Sequence, residues 1–362
     1  MTGRKSERSH MEPVTLIDVA RHAGVSRATA SLVLRGSPLV AAATRERVLV
    51  SMQQLGYVYH RTAATLRTRR SHTVGLVITN ITNPFFAELT LGVEERLDEA
   101  NYVVVLANTS ESLEKQSSLL TAIHENNADG ILLCPAEGTS RETIDALSSG
   151  HMPVVLVVRY LFDIDADYVG ADNVLGAKLA VEHLIAHGHR RIAFIGGPAQ
   201  SSARRDRLLG YRSALEQHNL SVDETLLPTS ATTRNGGHQA ILSLLMQNNP
   251  PTAALCYNDV VAFGVMLGLQ AHGRIPGQDF AVIGFDDIAD AALWHPPLTT
   301  VSIGPYQMGA TAAQRLLERI ASPDDPPRRV ILPPSLVIRA SCGLHDNYAQ
   351  TWDASQHADV PL

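Results

Sequence analysis

Several short constellations in this chain of 362 residues have the types and spacing that chemistry uses. Asp163-Ile-Asp-Ala-Asp167 opens like a calcium loop, in which alternating carboxylates wrap a hard cation. It then fails, because Tyr168 stands where the sharp turn needs glycine and Val174 where a bidentate glutamate must close the shell. His183 and His187 lie one helical turn apart with His189 close behind, a spacing that suits zinc. No HExxH pattern accompanies them, and a polar helix end explains them more simply. Gly196-Gly197-Pro198 follows an apolar run but lacks the GxGxxG and GK[ST] patterns that cradle phosphates. The adjacent Asp286-Asp287 would suit acid–base work, yet no nucleophile or base motif goes with them. Cys134, Cys256 and Cys342 are too dispersed for a disulfide framework or a CxxC metal pair, which fits a reducing cytoplasm. These residues predict no metal, no cofactor and no enzyme.

The stronger signal is the placement of charge. Residues 1–71 hold twelve Lys/Arg against four Asp/Glu, a surplus of eight. The other 291 residues must then carry an excess of fourteen acidic charges to reach the formal −6. A compact basic head on an acidic body predicts a polyanionic partner for the head alone, the alternative being a solvated basic tail. No apolar run approaches the roughly 20 residues of a membrane span, and no apolar stretch follows the charged start, so neither insertion nor export is expected.

The elements that must position these residues come in two textures. Thr15 to Leu55 reads as three short helices. Thr15 caps the first, with Leu16, Val19, Ala20 and Ala23 at helical spacing, and Gly24 breaks it. Ser26 caps the second, with Ala30, Val33 and Leu34 inward. The third runs from about Thr44 to Leu55, with Val48, Met52 and Leu55 inward. From Val74 onward, apolar β-branched runs alternate with amphipathic stretches. The first series is Val74–Ile78, Val103–Leu106, Gly130–Leu133 and Val154–Val157; the second is Ile192–Ile195, Ala253–Cys256 and Ala281–Gly284. Such alternation predicts two doubly wound parallel sheets with ligands at the carboxyl ends of the strands.

The segment Val14-Thr-Leu-Ile-Asp-Val-Ala-Arg-His-Ala-Gly-Val-Ser-Arg-Ala-Thr-Ala-Ser31 closely resembles the DNA-binding headpiece of the LacI/GalR family of bacterial transcription regulators. The resemblance continues through Asn83-Pro84-Phe85-Phe86, Tyr168 to Asn173, Gly188 to Gly197, Arg207 to Tyr211, Asn258-Asp259, Gly284 to Asp287 and Pro297 to Thr300. It implies a small all-α helix-turn-helix headpiece plus an α/β body of two doubly wound parallel-sheet subdomains, similar to periplasmic binding proteins. The implied layout is an N-terminal extension over 1–13, a headpiece over 14–58 and a hinge helix or linker over 59–72. The effector and dimerisation domain follows over 73–343, and a tail over 344–362. Within that domain the N-subdomain takes about 73–171 and 303–332, the C-subdomain about 172–302 and 333–343.

The function so implied is a cytoplasmic, homodimeric transcriptional repressor whose grip on double-stranded operator DNA is controlled by a carbohydrate-like effector. The rival reading is a two-lobed solute-binding protein or sugar-processing enzyme without a DNA role. In the head, Arg27, Ala28 and Leu32 are expected to select bases, with Thr15, Ser26, Thr29, Thr44 and Arg45 on phosphates. Leu66 matches the family's minor-groove leucine, an apolar wedge that bends the duplex. For the effector the resemblance implies Asn83, Phe85, Asp172, Arg207, Asn258 and Asp286. The chain departs from the family pattern at Ala64, at Ala41 in place of a capping serine (with Thr44 as substitute cap), and at Val158, where an aspartate that holds a sugar hydroxyl is usual.

Overall fold

The computed structural model describes residues 14–34, 36–57, 70–162 and 164–343, in two units of residues 1–71 and 72–362. In the first unit, α1 (Leu16–His22) starts at a capping box. The Thr15 hydroxyl donates to Asp18 Oδ2 at 2.6 Å and the Thr15 backbone N–H to the same oxygen at 3.0 Å. Gly24, at φ +63°, makes the turn into α2 (Arg27–Leu34). There Ser26 Oγ accepts the Thr29 N–H at 3.1 Å. The third helix, α3 (Ala42–Leu55), begins two residues earlier than its sequence suggests. Ala41 sits at its N-cap without a side-chain bond, so Thr44 lies in the first turn and does not cap. Val19, Ala20, Ala23, Ala30, Val33 and Val48 form the core, in which the small Ala20 of α1 and Ala30 of α2 are both buried. The hinge helix expected over 59–72, with Leu66 and Ala64, falls almost wholly outside the described residues.

The second unit holds two sheets. The first contains β1 (Thr73–Ile78), β2 (Val103–Asn108), β3 (Gly130–Leu133), β4 (Val154–Val157), β5 (Asp167–Ala171) and β10 (Arg329–Leu332) in the order β10-β5-β4-β3-β1-β2. All its pairings are parallel. The second has the order β11-β9-β8-β7-β6, from β6 (Ile192–Ile195), β7 (Ala253–Cys256), β8 (Ala281–Asp286), β9 (Thr299–Ser302) and β11 (Ser335–Val337). Its β11 runs antiparallel to β9, so this sheet is mixed at one edge. The interior strands β3, β4, β7 and β8, and the edge strand β6 as well, are buried along their whole length, as expected of parallel sheets covered on both faces. The edge strand β2 differs, because Val103, Val105 and Leu106 stay 40–52% exposed.

The connecting helices in the described body are α4 (Pro84–Asp98), α5 (Leu113–Glu125), α6 (Arg141–Ser149), α7 (Asn173–Ala186), α8 (Ser202–Gln217), α9 (Arg234–Leu245), α10 (Asp259–Ala271), α11 (Asp290–Leu293) and α12 (Pro305–Ala321). A buried charge network ties α12 to β5. Arg315 Nε and Arg319 Nε each donate to one oxygen of Asp167 at 2.7 Å, and the Arg328 N–H adds a third bond. Burial pushes the Asp167 carboxyl up, but these bonds outweigh it and hold the group below its ordinary range. The first aspartate-rich motif of the sequence is thus partly a structural anchor. Among the described residues, no helix is long and apolar enough to cross a membrane.

Candidate functional site

The carboxyl ends of β1, β4, β7 and β8 converge on a cleft between the two sheets. Its floor is a cavity of about 30 Å³ reached by Asn83, Phe85, Val158, Arg207, Asn258 and Asp286, among others. Its mouth is a larger space of about 650 Å³ edged by Thr79, Ser110, Glu111, Glu137, Ser230 and Thr232. Two of the floor residues are helix caps. Asn83 caps α4, its Oδ1 accepting the Phe85 N–H at 3.1 Å. Asn258 caps α10 in the same way, accepting the Val261 N–H at 3.0 Å. Both carbonyl oxygens are thereby engaged, which turns the amide nitrogens to other partners.

Arg207 projects from α8 and is 3% exposed. Its Nε donates to Asn173 Oδ1 at 2.8 Å, its Nη1 to the Tyr257 carbonyl, and its Nη2 lies 3.7 Å from Asp286 Oδ1. The guanidinium carbon sits 3.6 Å from the Phe285 ring centroid, a cation–π contact in a dry setting. Desolvation lowers the Arg207 pKa against the attraction of Asp286. Burial likewise pushes the Asp286 carboxyl up to about 7, offset by Arg207 and by a hydrogen bond with Asn83. Beside them, both Nη atoms of Arg159 bond Glu111, at 3.0 and 2.8 Å. The floor thus offers a carboxylate, the amides of Asn80, Asn83 and Asn258, the guanidiniums of Arg159 and Arg207 and the rings of Phe85, Phe86 and Tyr257, a set able to hold a polar ring compound. Gly197 permits the close approach of Tyr257: at φ +86°, a Cβ there would lie 2.4 Å from the ring.

The structure brings five of the six expected effector residues to this floor. Asp172 is the exception: its Oδ1 accepts the Leu175 N–H at 2.9 Å, capping α7, and it lines neither cavity. Phe86, Arg159, Thr79, Asn80, Thr232 and Tyr257 also line the floor and were not singled out as site residues from the sequence. One of them, Phe86, stands inside a motif already quoted for the resemblance. The neighbouring Asp259 is fully buried and structural, accepting from Thr300 Oγ1 at 2.5 Å and from the Ile288 N–H at 2.9 Å. Asp287 pairs with Arg339 at 2.8 Å, so the two consecutive aspartates do different work. His183 Nε2 lies 3.3 Å from Cys342 Sγ and His189 Nδ1 2.9 Å from Thr252 Oγ1. Among the described residues no group of three metal-ligating side chains is placed to hold an ion.

In the head, Ser26, Arg27 and Ala28 are exposed at the start of α2, with Thr29 and Leu32 half-buried on the same helix. Arg45 is directed inward: its Nη2 donates to the Ser37 carbonyl at 2.8 Å, tying α3 to the preceding loop. Thr15 is exposed, but its hydroxyl is engaged in the capping box.

Fold and cleft together define a class: a two-lobed ligand-binding body in the same chain as a helix-turn-helix head. Comparison with known proteins agrees. Residues 15–59 match the model of bacterial regulatory proteins of the lacI family, and residues 71–348 that of periplasmic binding proteins and the sugar-binding domain of the LacI family. The chain is 37% identical over 330 residues to the ribose operon repressor of Escherichia coli K12, covering 90% of this chain and 99% of that one. To the ribose operon repressor of Haemophilus influenzae it is 35% identical over 329 residues, covering 90% and 98%. Among solved structures, a lac repressor dimer bound to operator and an anti-inducer superposes with a TM-score of 0.81 at 27% identity, over 91% of this chain and 99% of that one. A complex of the regulator CelR with cellobiose superposes at 0.70 with 34% identity over 91% and 99%. This chain belongs to the LacI family of bacterial transcriptional regulators.

Proposed function

We propose that the protein is a homodimeric repressor that binds a pseudo-palindromic operator through its heads and a small carbohydrate in its cleft. The observation that carries the effector half is the floor itself. Arg207, Asp286, Asn83 and Asn258 converge with Phe85 on one buried point between two sheets. The matched relatives include ribose operon repressors, and one solved family member holds ribose, which supports a sugar or sugar derivative. For the DNA half, Arg27, Ala28 and Leu32 read bases from α2, and Ser26, Thr29 and Thr44 hold phosphates. Thr15 and Arg45 complete the phosphate contacts, Thr15 while also ordering α1 and Arg45 while also bracing the loop at Ser37. Leu66 serves as a minor-groove wedge.

The apolar edge of β2, with Val103, Val105 and Leu106 exposed, suits burial against a second copy. In this reading the protein acts in the cytoplasm and binds its effector without transforming it. Binding of a fluorescent duplex from the region upstream of its own gene, followed while sugars are added, tests this reading. Sugar-dependent release or tightening is expected. Turnover of a sugar substrate without any preference for that duplex would instead favour the enzyme alternative.

A further inference from the structure

The floor of the cleft is lined mostly by polar groups, and Val158 is its one aliphatic side chain among the described lining residues, beside the rings of Phe85 and Phe86. Val158, at the end of β4, adopts φ +67°, a conformation that is a genuine outlier for a β-branched residue and favours glycine, asparagine or aspartate. Strain of this kind persists where function holds it.

The polar atoms at this corner are already committed. The Val158 N–H donates to the Val169 carbonyl at 3.0 Å, and its own carbonyl accepts the Tyr168 hydroxyl at 3.3 Å. The Nη atoms of the adjacent Arg159 are held by Glu111, at 2.8 and 3.0 Å, with the Pro135 carbonyl at 3.3 Å. A ligand hydroxyl brought against Val158 would be stripped of water and meet its methyl groups, with the adjacent backbone and guanidinium already bonded elsewhere.

We propose that Val158 is a specificity-determining residue: the ligand atom facing it is carbon bearing hydrogen or methyl, so the effector is a deoxy or C-methyl carbohydrate. This rests on the reading of the cleft as a carbohydrate site and narrows it. Discrimination arises from the hydroxyl that finds no partner, an effect of roughly tenfold to hundredfold in affinity.

Isothermal titration of the full-length protein with matched sugars tests the proposal: ribose against its monodeoxy analogues, galactose against fucose, and mannose against rhamnose. At least one deoxy member binds about tenfold or more tightly than its hydroxylated partner. Val158→Asp and Val158→Asn both tolerate the positive φ, so they fold, and they flatten or reverse that ratio. The proposal is overturned if the hydroxylated member of every binding pair is equal or tighter, or if the ratio is unchanged in both variants. Should sugars bind without a deoxy preference, only the role of Val158 falls. If no sugar binds while operator binding persists, the carbohydrate reading falls with it.

Discussion

Asp286 shows how burial sets the behaviour of a single group. Its carboxyl is pushed up to about 7 by desolvation, against the pull of Arg207 and the Asn83 bond. A folded-state pKa raised above the unfolded value means that the folded chain holds this proton more tightly. The associated stability is therefore present at acidic pH and lost as pH rises from about 4 through about 7. Asp286→Asn is expected to remove that component. Thermal melts of wild type and variant should converge toward pH 4 and separate in favour of the variant toward pH 8; parallel curves would contradict the burial account. Gly197 is a second single-residue lever. Gly197→Ala combines a strained φ with a Cβ 2.4 Å from Tyr257, and should destabilise the body by about 2–4 kcal/mol in urea unfolding. Unchanged stability would mean that Tyr257 moves freely.

At the scale of elements, two local devices carry testable weight. The capping box at Thr15 starts α1, so Thr15→Ala should cost the head about 1 kcal/mol. Hydrogen exchange is expected to show faster opening of α1 amides, with the body unaffected. Asp167 joins β5 to α12 through Arg315 and Arg319. Asp167→Ala strands two buried guanidinium groups and should destabilise by roughly 3–5 kcal/mol, read by chemical denaturation. A loss below 1 kcal/mol would mean that the arginines find water.

Elements of this size were also where the sequence was most and least legible. The strands β1, β3, β4, β6, β7 and β8 announce themselves as apolar runs because both faces are covered. By contrast β5 includes Asp167 and Gly170 and carries charge into a sheet, β10 alternates exposed and half-buried at an edge, and β11 is three residues long. Periodicity does not reveal such strands; tertiary pairing creates them. The start of α3 was misplaced for a related reason, since Ala41 supplies no capping side chain to mark it. The site was similarly split. Asn83, Phe85, Arg207, Asn258 and Asp286 meet at the cleft floor, while Asp172 caps α7 and lines neither cavity. Asn83 and Asn258 cap helices too, so capping and lining draw on the same amino-acid types and only the fold shows which residues reach the cleft.

The whole molecule is organised by unequal charge: a surplus of eight basic residues in the first 71 and an acidic remainder. That arrangement keeps nonspecific DNA affinity in the head and away from the effector body. Operator affinity should therefore fall with salt at a log–log slope near −0.9 for each phosphate neutralised. Effector affinity, resting on the buried Arg207–Asp286 side of the cleft, should change little over the same range.

The most direct test of the account is a fluorescence-anisotropy titration of the full-length protein on the duplex upstream of its own gene. A scrambled duplex serves as the reference, and both titrations are repeated with the best-binding sugar. The account predicts at least a thousandfold preference for the upstream duplex, and a sugar-dependent change in that preference that is abolished by Arg207→Gln. Equal affinity for both duplexes, with or without sugar, would contradict it.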